Sequence, residues 1–255
     1  LATEAYDALG IDRAAGYFAS RAAPMGAVSA EVVIATFYNF HPGLVRLAIP
    51  AAWEAATPEA IVEARFGAAE AALRQALGDE VVGSEELAWA ASVARRAAES
   101  CDPAGRPLFG GHASLDWPDE PLLDLWHALT LLREYRGDGH VAALLLADVS
   151  PCEALHCHIA AADGLLPPDV LKTTRGWPEE DWQAAAEDLR SRGWLTADGQ
   201  FTEAGRAARE QVEAATDERA LAPWEYLGEE TCDRLRATIR PWSRTIVQSG
   251  ALGGR

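Results

Sequence analysis

The chain has 255 residues, 49% apolar and 24% charged, enough to bury a sizeable core. Lys and Arg total 22 against 39 Asp and Glu, a net charge of −17, so the long-range field repels nucleic-acid phosphates and anionic membrane surfaces. Cys101, Cys152, Cys157 and Cys232 form no spaced disulfide framework. No apolar run approaches the roughly 20 residues of a spanning helix, and the first residues, LATEAYDALG, lack the pattern of a signal peptide. The expectation is a cytoplasmic protein with no membrane partner.

Helical signals come first in the chain. Ser29 is positioned as an N-cap before AEVVIATFYNF, which closes at Pro42-Gly43. Thr57-Pro58 places a cap before a proline at the first helical position, predicting a helix to Gly78 with Ile61, the Arg65 stem, Ala69, Leu73 and Leu77 on one stripe. Ser84 caps a third. The Pro- and Gly-rich run 102–120 (DPAGRPLFGGHASLDWPDE) reads as a linker or pocket-lining loop. From Pro121 a helix is predicted to stop at Gly137, with a second starting beyond Asp138-Gly139, so that the two meet at a Gly-bearing corner. Ser150-Pro151 opens CEALHCHIAAADG, predicted to end at Gly164, and PEEDWQAAAEDLRSRGWL follows as an amphipathic helix with Trp182, Ala185, Ala186 and Leu189 inward. In TADGQFTEAG two short extended pieces flank Asp198-Gly199, a hairpin signal, before a long helix from Thr202 and a last one over EETCDRLRATIRPWSRTIVQ.

The run Leu189, Gly193, Trp194, Leu195, Asp198, Gly199, Thr202, Gly205, Arg206 resembles the winged helix of MarR-type regulators over roughly Leu144 to Val247. The layout, with RAAPMGAVSAEVVIATFYNF and LLREYRGDGHVAAL, also resembles an actinobacterial family of helix-turn-helix proteins. The expected fold class is therefore mainly α. Two helical domains are expected, residues 1–101 and 121–255, the second a winged helix with a short β-hairpin wing. Such a fold implies a helix in the major groove supported by cations on phosphates. This sequence departs from that pattern. Residues 151–200 hold nine acids and four bases (Lys172, Arg175, Arg190, Arg192), a balance of −5, and no Lys or Arg lies between Thr196 and Ala204. Nucleic acid is not an expected partner.

The chemistry concentrates at Trp126-His127 and the corner Arg133 to His140, where a guanidinium, a carboxylate and an imidazole fall within five residues. The structural alternative is an Arg136–Asp138 corner salt bridge with His140 near a helix start. Tyr38, Asn39, Phe40 and His41 make a second candidate pocket wall, with Arg21 as a nearby cation, and nine tryptophans offer partners to a flat ligand. Cys152 and His156 have the i, i+4 spacing of two metal ligands, but no second pair completes a site, so no metal is expected. Nucleotide-loop, nucleophile-elbow and HExxH motifs do not occur.

The leading reading is a small-molecule-binding protein, compatible with a homodimer. Its expected binding residues are Arg21, Tyr38, Asn39, His41, Trp126, Arg133 and Arg136, beside His127, Asp138 and His140. One alternative is an enzyme with His140, His127 or Asp138 in catalytic roles and Arg136 on an anionic substrate. No cofactor is assigned, and haem on His127 or His140 stays open although no CxxCH motif occurs. The other alternative is a transcriptional regulator whose dimer gathers Arg175, Arg190, Arg192, Arg206 and Arg209 on one face.

Overall fold

The computed structural model describes residues 2–161 and 167–250. Its helices are α1 (Ala2–Asp7), α2 (Arg13–Ala22), α3 (Ala30–Phe37), α4 (Pro42–Ala55), α5 (Pro58–Val82), α6 (Glu85–Glu99) and α7 (Pro107–Ala113). The second half adds α8 (Pro121–Leu146), α9 (Pro151–Ala160), α10 (Pro168–Arg175), α11 (Glu179–Ser191), α12 (Glu203–Ala220), α13 (Ala222–Leu227) and α14 (Glu229–Gln248). The predicted end of α9 at Gly164 lies outside the described residues.

Local chemistry explains the helix starts. The Thr57 and Ser84 hydroxyls accept the Ala60 and Leu87 N–H groups at 3.3 and 3.2 Å. Ser150 and Glu153 form a reciprocal capping box, the Ser150 N–H reaching Glu153 Oε2 at 2.7 Å. Gly78, at φ 76°, breaks α5 where the sequence placed its end, although a short helical stretch follows before Val82.

Around α8 the molecule is organised. This helix is buried on most of its circumference and packs against α5, α6, α7 and α12. One core fills the α6–α8 contact around Leu87, Ala94, Phe109, Leu122 and Leu131. Another joins α2, α3 and α4 through Phe18, Val33, Phe37, Phe40, Val45 and Ile49. Helices α9 to α11 close on Cys152, Leu155, Leu171, Trp182 and Ala185. The segment 102–120 contains α7, which packs on α8 and buries Leu108, Phe109 and His112, where the sequence predicted a loop.

Two expectations are corrected. The corner at Arg136 to His140 does not exist: α8 runs unbroken from Pro121 to Leu146. Its glycine serves packing. A Cβ on Gly139 would sit 2.9 Å from Arg106 Nη1, and Arg106 donates to the carbonyls of Tyr135 and, at 2.8 Å, Arg219. The bare backbone lets a guanidinium tie α8 to α12.

The β-hairpin wing is also overturned. Among the described residues there is no strand, only a single bridge between Leu195 and Phe201, so the fold is mainly α without the wing of a winged helix. The reason is length. Gly193 ends α11 in a left-handed turn, Trp194 N–H returning to Leu189 O at 2.9 Å, and Thr202 already caps α12. Between them Thr196 closes a tight turn, its N–H on Gln200 O at 2.8 Å, which leaves one residue on each side to pair. Leu195 and Phe201 turn inward onto Leu189 and Cys157.

The start of α12 lies directly on that turn. A Cβ at Gly205 would overlap the Trp194 carbonyl oxygen, whereas one at Gly137 would meet only Glu134 Oε2, at 3.9 Å. Gly205→Ala is expected to cost at least about 2 kcal/mol, and Gly137→Ala to gain about 0.5–1 kcal/mol from helix propensity. Thermal melts of the two variants beside the wild type check both signs.

Candidate functional site

Helix α3 ends in an unusual way. Tyr38 has φ 54° and ψ −71°, and the Asn39 N–H closes onto Phe37 O at 2.7 Å. This is a γ-turn of the rare positive-φ kind, strained for an aromatic residue. Three hydrogen bonds hold it, each to a partner in the second half of the chain. The Tyr38 hydroxyl donates to Val149 O at 2.6 Å, Trp177 Nε1–H to Asn39 O at 3.0 Å, and the His41 N–H to Arg175 O at 2.9 Å. The turn is thereby fastened to the α8–α9 junction, the end of α10 and the α10–α11 connection.

Beneath it lies a cavity of about 300 Å³. The N-terminal helices contribute Tyr17, Arg21, Phe37, Tyr38, Asn39 and Phe40; α8 contributes Glu134, Gly137, Asp138, His140 and Leu144. Its other walls are Leu155, Cys157 and His158 of α9, Leu171 and Arg175 of α10, Trp194, and Arg209 and Val212 of α12. It therefore touches both halves of the chain.

The electrostatics follow from burial. Glu134 is 2% exposed and accepts from Arg21 Nη2 at 2.8 Å and from Arg133. Burial works against the charge of Arg21, but Glu134 and the Tyr17 hydroxyl, which accepts from Nη1 at 2.9 Å, outweigh it and hold its pKa above the ordinary value. Asp138 accepts the Phe109 N–H at 2.9 Å, yet burial raises its carboxyl to about 6. His140 Nδ1 lies 2.9 Å from Thr216 Oγ1, whose own proton goes to Val212 O at 2.7 Å. Nδ1–H is therefore the donor, which leaves the Nε2 lone pair as the remaining polar function of a ring that burial keeps neutral. The Cys157 thiol is pushed up to about 11 by burial and is a poor nucleophile.

Of the residues singled out from sequence, Arg21, Tyr38, Asn39, Asp138 and His140 line this cavity, and Arg133 reaches it through Glu134. The others lie elsewhere. His127 is 1% exposed, enclosed by Phe66 and Trp117, with neither ring nitrogen partnered and its pKa lowered to about 4, first by burial and then by Arg65 and Arg95. Trp126 packs on Phe66 and under the Arg65 guanidinium. Arg136 pairs with Glu213 and Asp217 on α12 at 3.0 and 3.3 Å rather than with Asp138. His41 caps α4, its Nδ1 accepting from Gly43 N–H at 3.1 Å, and meets the Trp177 ring edge-on. Cys152 and His156 bond the carbonyls of Asp181 and Trp182, tying α9 to α11. Arg175 and Tyr17 escaped the sequence reading as cavity residues. For Glu134 a signal existed: it stands four residues before Asp138, a spacing that makes one stripe once α8 is continuous.

Helices α9, α10 and α11 form a three-helix unit around one core, in the chain order of a helix-turn-helix. A model described as a helix-turn-helix family matches residues 1–253. The chain belongs to that helix-turn-helix family. The match does not single out MarR-type regulators. No curated protein and no solved structure matches the chain.

In this helix-turn-helix protein the exposed face of α11 carries Glu179, Glu180, Asp181, Glu187 and Asp188. The four cations of residues 151–200 are all engaged. Lys172 pairs with Glu179 and Arg190 with Glu187; Arg192 bonds Asp148 O at 2.8 Å and Glu153 at 3.1 Å; Arg175 turns to the cavity. Among the described residues no helix is long and apolar enough to cross a membrane.

Asp138 makes the site pH-sensitive with a definite sign. Because its folded pKa, about 6, lies above the ordinary aspartate value, the folded state keeps a proton that the unfolded chain has released, so stability falls as pH rises from about 4 to about 6 and levels off above. Asp138→Asn, which keeps an acceptor for Phe109, removes that titration. The wild-type melting temperature minus that of D138N is expected to decrease across this window; a constant difference contradicts the assignment.

Proposed function

We propose that the protein is a small-molecule-binding member of its helix-turn-helix family, with the ligand seated in the cavity beneath the Tyr38 turn. One observation carries this reading: the cavity is walled at once by α2, the α3–α4 turn, α8 and the helix-turn-helix unit. A ligand there contacts both halves, so its binding energy favours one arrangement of α9 to α11 over others. The mix of aromatic rings, aliphatic side chains and a few charged groups fits the usual lining of a ligand site, and the volume falls at the small end of such sites.

The acidic face of α11 supports a readout other than direct phosphate contact. A groove-reading helix needs cations free to meet the backbone, and the four nearest are held by acids, by carbonyls or inside the protein. The regulator role then runs through a protein contact, with α11 as its charged surface.

A thermal-shift screen of a broad metabolite set tests the site. Stabilising compounds are expected to lose their effect in His140→Ala and in Val212→Phe, which fills the cavity from α12. Stabilisation unchanged in both variants places binding elsewhere and contradicts the proposal.

A further inference from the structure

Resting on that reading, we infer that the ligand is a small organic carboxylate with an apolar body, its anionic end held by Arg175. The cations and acids around the cavity do not balance. Glu134 is shared between Arg21 and Arg133, Arg209 pairs with Glu213, and Asp138 is turned to the Phe109 amide. Arg175 has no carboxylate partner among the described residues. Its guanidinium lies over the Phe40 ring at 4.7 Å, and among the described residues Nη1 alone of its nitrogens finds an acceptor, the Thr174 hydroxyl at 3.1 Å. Nε is buried without a partner.

This guanidinium is half-buried, with Nε fully enclosed and no carboxylate beside it. Burying a cation without a counter-charge is unfavourable, and Arg21, stacked 4.6 Å above Phe37 on the same aromatic cluster, adds repulsion. The two rings, Phe37 and Phe40, present the two guanidiniums to one space. A carboxylate entering it gains a fork-shaped, charge-assisted contact with Arg175 and relieves the repulsion from Arg21. An ammonium ligand would meet the opposite field.

An apolar body finds partners in part of the remaining wall. Leu144, Leu155, Leu171, Trp194 and Val212 supply that apolar surface, beside His158 and Arg209, and His140 Nε2 is one acceptor for a ligand hydroxyl or amide. At about 300 Å³ the space equals that of about ten waters and suits a compact acid.

The test titrates the full chain with octanoate and phenylacetate, each beside its own amide, and reads the melting temperature and the heat of binding. The acids are expected to stabilise the wild type and the amides to do so roughly 10- to 100-fold more weakly. Arg175→Met removes the cation but keeps an apolar stem over Phe40. It is expected to raise the melting temperature of the ligand-free protein, because a half-buried charge without a counter-ion is gone, and to abolish the preference for acid over amide. Acids and amides binding equally well overturn the carboxylate assignment and leave the cavity reading standing. Discrimination retained in R175M overturns it too. Binding of none of the four compounds sinks both.

Discussion

Tyr38 holds a backbone conformation that an aromatic side chain adopts only under constraint, and the constraint comes from the far end of the sequence. Its hydroxyl on Val149, the Trp177 indole on Asn39 and the Arg175 carbonyl on His41 are separated from the turn by more than a hundred residues. Each such bond is worth about 1 kcal/mol, comparable with the strain of the turn. The turn and the helix-turn-helix unit therefore stand or move together. The cavity lies beneath this clamp, between the α3–α4 turn and α8, with α9 and α10 on its other side.

Charge is arranged around that space by burial more than by count. The chain is strongly acidic, yet its acids are spent on the outside, along α11 and the exposed faces of α5 and α12, while the interior of the site holds more guanidinium than carboxylate. Glu134 divides its one charge between Arg21 and Arg133. Arg175 is left over. A residue that costs stability in the empty protein is a common mark of a binding site, since function and not packing explains its retention there. The same accounting explains why the helix-turn-helix lacks free cations outside: Arg192 is drawn in to cap the end of α8, and Arg175 to face the cavity.

What the sequence disclosed follows from the range of the interactions involved. Caps are local, so Thr57-Pro58, Ser84 and Ser150-Pro151 announced their helices correctly, and the 3.6-residue stripe of Trp182, Ala185, Ala186 and Leu189 became the buried face of α11. The glycines misled. Gly137 and Gly139 read as a corner because glycine usually marks one, but Gly139 answers to Arg106 and Arg219, a tertiary contact that no window of sequence contains. Asp198-Gly199 did mark a turn, although Gly193 and Thr202 leave too little chain for strands. Tyr38, Asn39, Arg21, Asp138 and His140 converge on one cavity, whereas His127, four residues from Leu131 on the same helix, faces a sealed aromatic cluster instead. Arg175 was legible as a cation and not as an inward one, since its direction depends on Phe40.

The central claim is that an occupied cavity joins the N-terminal helices to the helix-turn-helix unit through the Tyr38 turn. Hydrogen exchange of the full chain, with and without a compound that stabilises it, tests this most directly. The account predicts slower exchange together at residues 36–41 and 168–177, on both sides of the clamp. Protection confined to either side alone contradicts it.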